Sequence, residues 1–205
     1  MTLTGPAGVG KSCLAIAAAS YLFERRWFSE GCVRVELAGC RTESEALSAL
    51  SDAVDMELND INHVTKALRH WKGLLVLDKC DAAYRNNPDL MPTLLSKLLS
   101  TQHLQVVCTC QTALKVPGEV TMPVNPLGKK DAARLFRELA IDALPSDLRR
   151  PDPTTKVDRL MEHPVLDALH GLPRAIWQTA PLLRQVRAAI EAAGDLAARA
   201  SPAPL

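Results

Sequence analysis

The sequence predicts an α/β chain in two parts: a parallel β-sheet flanked by helices over residues 1–125, then a smaller all-helical part over residues 126–200. Three observations predict it. Short apolar runs of strand length alternate with helical patterns as far as Val124, which is the order of repeated βα units. One run, Gly73-Leu74-Leu75-Val76-Leu77-Asp78, is apolar without alternation, as a strand covered on both faces must be. From Pro126 onward the strand signals stop and only helical periodicity remains.

The elements follow in order. Met1-Thr2-Leu3-Thr4 reads as a strand end, and residues 13–28 as a helix burying Leu14, Ala15, Ala18, Leu22 and Tyr21. Cys32 to Ala38, set between Gly31 and Gly39, is the second strand. Thr42 to Leu58 carries Ala46, Leu47, Leu50 and Val54 at helical spacing, and Thr42 with Glu45 has the pattern of a capping box. A second helical stretch, Asn62 to Trp71, places Val64, Leu68 and Trp71 on one side. Strands are expected over Gly73–Asp78, Leu104–Thr109 and Val120–Val124, with a helix over Pro88–Leu99. The second part reads as helices over Lys129–Ala140, Lys156–His170 and Pro173–Ala200, with a polar, basic linker at Ser146–Asp152 and a frayed tail over residues 201–205.

Bulk properties narrow the partners. A net charge of +1 supplies no general field for nucleic acid or an anionic membrane. No apolar run reaches the roughly 18 residues of a membrane helix, and no signal peptide precedes the first strand, so a cytoplasmic setting is expected. The six cysteines are not spaced as metal-ligand pairs and read as free thiols; Cys108 and Cys110 fall on one strand face.

The chemistry is concentrated in Gly5-Pro6-Ala7-Gly8-Val9-Gly10-Lys11-Ser12. Its glycines let successive backbone N–H groups point into one concavity that holds phosphates, and the helix that follows adds its positive end. Lys11 is placed to reach the β- and γ-phosphates, and the Ser12 hydroxyl to ligate Mg2+. Gly5 to Ser12, with Cys13 directly after, are therefore the candidate nucleotide-binding residues. Asp78, ending its apolar strand, is the candidate Walker B acid and second metal ligand, with a helix cap as the plain alternative. Lys79 stands where active ATPases carry a water-polarising acid, and a cation cannot serve as that base; Asp81 is the candidate substitute, or else the cap of a short turn. Gln111 follows the strand ending in Thr109, at the position of a γ-phosphate sensor or of an ordinary loop.

In this order the motifs resemble the NB-ARC family of STAND nucleotide-binding switches over roughly residues 1–190. The loop Gly5–Ser12 and the strand Leu74–Asp78 are similar to the family's phosphate loop and Walker B strand. Val106–Gln111 stands where the family has a strand ending in an arginine motif. Pro126-Leu127 with Ala133, Leu135 and Phe136, and Gly171-Leu172-Pro173, resemble its later elements. The resemblance implies an additional-strand P-loop NTPase sheet followed by a first ARC-type helical subdomain, ADP or ATP bound with Mg2+, and Pro173 near the adenine. It further implies a nucleotide-dependent change of conformation or homo-oligomeric state, and flanking effector and sensor domains in a longer chain. Gln111 and Lys79 depart from the family pattern, so the signalling switch is expected to hydrolyse slowly or not at all. A working P-loop ATPase or small-molecule kinase is the alternative reading, with Arg149-Arg150 as its candidate lid arginines, and a scaffold without nucleotide affinity is the third.

Overall fold

The computed structural model describes residues 1–141, 144, 159–183 and 185. The chain divides into two compact units, Met1–Asn125 and Pro126–Leu205. The expected linker at Ser146–Asp152, the Arg149-Arg150 pair, the helical stretch after residue 185 and the tail over 201–205 lie outside the described residues.

The first unit is a five-stranded parallel sheet of β1 (Thr2–Thr4), β2 (Cys32–Glu36), β3 (Leu74–Asp78), β4 (Gln105–Thr109) and β5 (Thr121–Pro123). The spatial order is β2-β3-β4-β1-β5, so β4 is inserted between β1 and β3. This inserted strand is the additional strand that the sequence leads one to expect. Register puts Glu36 of β2 opposite Asp78 of β3, and Leu77 of β3 opposite Cys108 of β4. All five residues of β3 are buried, which explains its unbroken apolar run.

Helices cover both faces. α2 (Glu43–Val54), α3 (Val64–Ala67), α4 (Asp81–Asn86) and α5 (Leu90–Leu99) belong to the face where Val35, Leu37, Leu75 and Leu77 meet Leu47, Leu68, Met91 and Leu94. The capping box of α2 is complete: Thr42 accepts from the Glu45 amide at 3.2 Å, and Glu45 accepts from the Thr42 amide at 3.1 Å. α3 is a single turn rather than the expected stretch from Asn62 to Trp71, yet Val64, Leu68 and Trp71 are all buried as that pattern requires.

α1 (Lys11–Glu24) covers the other face with a narrower stripe than expected, which keeps Ala15 and Leu22. Ala15 is buried, with Ala19 and Leu22 beside it, against Leu3, Leu74, Val76 and Val107. Leu14, Ala18 and Tyr21 are exposed. The loop fixes how α1 leaves the sheet, and that direction, not the helix's mean hydropathy, decides which face turns inward.

The second unit holds α6 (Lys129–Ala140), a 3-10 turn at Arg159–Glu162, α7 (Pro164–Ala168) and a helix over residues 173–183. Phe136, Ala133, Leu160, Leu166 and Ile176 form its core. Of the single helix expected over Lys156–His170, the described residues form two short pieces, because Pro164 lacks an N–H and starts a helix instead of continuing one.

Candidate functional site

The site is built where β1, β3 and β4 end. Between β1 and α1 the chain turns through Gly5 (φ 144°), Gly8 (φ 82°) and Gly10 (φ 104°). All three lie in the region that side chains disfavour, and at Gly5 a Cβ would also collide with the Val124 carbonyl oxygen. The Gly5 amide donates to the Gln111 carbonyl at 3.2 Å, which pins the start of the loop to the end of β4. Val9 is buried beneath the turn. Pro6 and Ala7 are exposed at its crest, and Cys13 is exposed on the first turn of α1. The Lys11 ammonium lies over the loop, donating to the Gly5 and Pro6 carbonyls at 2.7 and 3.0 Å.

Asp78 is fully buried and takes the centre of the site. Its Oδ1 accepts from the Ser12 hydroxyl at 2.6 Å, across 66 residues of sequence, and from the Thr109 hydroxyl at 2.6 Å. Its Oδ2 accepts from Arg34 Nε at 3.0 Å and from the same guanidinium's terminal nitrogen at 2.5 Å. Burial pushes the Asp78 carboxyl up, but the hydrogen bonds from Ser12, Thr109 and Arg34, with the Arg34 charge, outweigh it and hold the group below its ordinary range. Asp78 caps no helix: α4 begins after Cys80 without a side-chain cap.

The turn after β3 is tight. Lys79 sits at φ 60°, its amide donating to Thr109 Oγ1 at 2.8 Å and the following Cys80 amide to the Thr109 carbonyl at 3.0 Å. The Lys79 ammonium pairs with Glu36 at 2.6 Å, and Arg34 bridges to the other Glu36 oxygen at 3.1 Å. A line of alternating charge therefore runs Lys79, Glu36, Arg34, Asp78. The Glu36 carboxyl is held low, first by the hydrogen bond from Lys79 and then by that ammonium's charge.

Asp81 opens α4, and its carboxylate accepts from the Gln111 amide at 2.6 Å and from the Cys110 thiol at 3.4 Å. It ties α4 to the end of β4. Gln111 contributes its backbone to both the loop and Asp81, and the residue itself is exposed. Pro173 belongs to the second unit, where it opens the helix over residues 173–183. Just before it, Gly171 (φ 65°) accepts from the Leu127 amide at 2.8 Å, and a Cβ there would collide with the Leu127 carbonyl. The Pro126-Leu127 and Gly171-Leu172-Pro173 motifs are thus one backbone junction.

Sequence reasoning missed Arg34, Glu36 and Thr109. Arg34 lies 44 residues before Asp78 in sequence, and nothing local to β2 assigns it to that acid. Thr109 was placed correctly at a strand end, but its partner was not readable.

A buried carboxylate touching a serine hydroxyl is a hard-oxygen pair of the kind Mg2+ prefers, and Ser12 with Asp78 fit that ion. They would hold it beside the loop, where it would neutralise phosphate charge. Among the described residues no group of three or more His, Cys, Asp or Glu is placed to hold a metal by itself. All six cysteines are free.

The inserted strand, the glycine turn and the buried acid together define an α/β P-loop fold. Over its whole length the chain is similar to a solved structure of Drosophila ORC bound to DNA, with a TM-score of 0.59 and 16% identity, spanning 64% of that chain. It is also similar to C. elegans PCH-2, with a TM-score of 0.53 and 16% identity, over 85% of this chain and 52% of that one. Uncharacterised proteins of Mycobacterium tuberculosis and Mycobacterium bovis are each 31% identical over 146 residues, or 68% of this chain. The chain spans only 36% of the length of these curated relatives. No family model matches it.

Proposed function

We propose that the chain is the nucleotide-binding core of a signalling switch of NB-ARC type, holding ADP or ATP with Mg2+ and changing conformation or oligomeric state with the nucleotide. One observation carries the reading: a loop with three glycines at positive φ, whose Ser12 is hydrogen-bonded to the buried acid Asp78. Lys11, anchored on the loop's own carbonyls, supplies the phosphate-binding charge. The backbone junction of Leu127 with Gly171 supports a second unit built like the family's helical subdomain.

Slow turnover follows from the charges. Lys79 occupies the usual position of the base and is committed to Glu36. Asp81 is committed to the Gln111 amide. Glu36 lies in register beside Asp78, the observation that favours an active ATPase. Its carboxyl is held low by Lys79, however, and a weakly basic carboxylate is a poor proton acceptor.

The test is thermal melting with and without ADP–Mg2+ and ATP–Mg2+, in the wild type and in Lys11→Ala. A rise of about 3 °C or more is expected for the wild type at nucleotide well above Kd, and none for Lys11→Ala. Equal curves for the two proteins would overturn the reading.

A further inference from the structure

Arg34 is a participant in the site that a phosphate loop does not require. It projects from β2, two residues before Glu36, and closes a two-pronged contact on Oδ2 of Asp78. Oδ1 is already shared between Ser12 and Thr109. A carboxylate has about four lone-pair sites, and here four donor contacts use them.

The donors are not equivalent toward a cation. Ser12 can turn its hydroxyl hydrogen away and present a lone pair. A guanidinium has no lone pair to offer and does not lose its charge. A divalent cation drawn to Ser12 and Asp78 therefore meets Arg34 as a like charge on the carboxylate it needs. Glu36 makes the exchange feasible, because it already contacts the same Arg34 nitrogen at 3.1 Å. An Arg34 displaced from Asp78 keeps a counter-ion, and Lys79 holds Glu36 in place from the other side.

We infer that Arg34 is a tethered cation competing with Mg2+ for Asp78, so that the Arg34–Asp78 pair and a Mg2+-occupied site exclude one another. The inference rests on the nucleotide reading only for what accompanies the metal. The antagonism itself is between the guanidinium and the divalent ion. It makes the metal-free form self-neutralised and lowers the dependence of nucleotide affinity on Mg2+.

The test uses the 205-residue chain with Arg34→Gln and Arg34→Lys. The first measurement needs no nucleotide: melting temperature against MgCl2, with NaCl at matched ionic strength as the control. Arg34→Gln, left with a buried carboxylate that has no counter-ion, is expected to melt below the wild type in EDTA and to gain about 3 °C in MgCl2, while the wild type barely responds. The second is the affinity for fluorescent mant-ADP in MgCl2 and in EDTA. The ratio of the two affinities should be about tenfold larger for Arg34→Gln than for the wild type, with Arg34→Lys, which keeps the charge without the fork, in between. Identical Mg2+ responses in both measurements would overturn the inference. If no form binds mant-ADP, the nucleotide reading falls and the nucleotide-free melting still decides the role of Arg34. If Arg34→Gln does not fold, Arg34→Lys decides it: a wild-type Mg2+ response overturns the inference and an enlarged one supports it.

Discussion

Gly5 shows how little freedom the site leaves at single residues. Its φ of 144° is open to glycine, and the space a side chain would enter is filled by the Val124 carbonyl. Gly5→Ala is expected to destabilise the chain by about 1–3 kcal/mol in urea denaturation and to lower nucleotide affinity with it. A variant of wild-type stability would mean that the loop relaxes without loss. Asp78 is the opposite case, a residue defined by its partners. The sequence marks it as an acid ending a buried strand, but its hydrogen bonds come from α1, β2 and β4. Only the Ser12 contact was foreseeable, because the phosphate-loop pattern itself names that pairing.

At the scale of elements, the connection from β4 to β5 is held by one carboxylate. Glu119 accepts from the Leu114 and Lys115 amides at 3.0 and 2.8 Å, closing the turn that contains Gly118 at φ 77°. Burial raises the Glu119 carboxyl, but the hydrogen bonds from Thr2 and from these backbone amides prevail and hold it low. A carboxyl that is more acidic folded than unfolded stabilises the fold above its unfolded pKa of about 4.3, and loses that contribution as pH falls through its lower folded value. Glu119→Gln should therefore be less stable than the wild type at pH 7, with the difference shrinking toward pH 3 in parallel urea titrations. A difference that stays constant with pH would exclude an ionised Glu119 as the clasp. This clasp was not legible in the sequence, where Lys115-Val116-Pro117-Gly118 reads only as a turn before a strand. The α2 capping box was legible, because both of its bonds run between residues three apart.

For the whole molecule, the thiols offer a direct readout of packing. Cys13 is exposed, whereas Cys40, Cys80, Cys108 and Cys110 are buried. A hydrogen bond to Cys108 and burial push the Cys80 thiol well up, and burial pushes Cys110 up to about 11. Since the thiolate is the nucleophile, an aromatic disulfide reagent at pH 7.5 should label Cys13 rapidly, the half-buried Cys32 more slowly and the buried set only after denaturation. Cys13 follows Ser12 directly, so ADP–Mg2+ should slow that rapid phase. Rapid labelling of several thiols would show that the native packing opens readily, and no protection by nucleotide would count against the phosphate loop as its site.

The parallel sheet, the glycine loop and the acid that ends β3 are legible before any folding, because each is written in contiguous residues: an apolar run of strand length, glycines at fixed spacing, a carboxylate at a strand end. The sequence also carried the buried positions of α2, whose periodicity is local. On α1 it placed Ala15 and Leu22 inward correctly but also Leu14, Ala18 and Tyr21, which are exposed, since Leu14 and Tyr21 are as apolar as the stripe that turns inward. The tertiary structure alone decided that Arg34 and Thr109 converge on Asp78. Those contacts exist because β2 and β4 flank β3 on opposite sides, and strand order is set by the packing of the whole sheet, which no local pattern encodes.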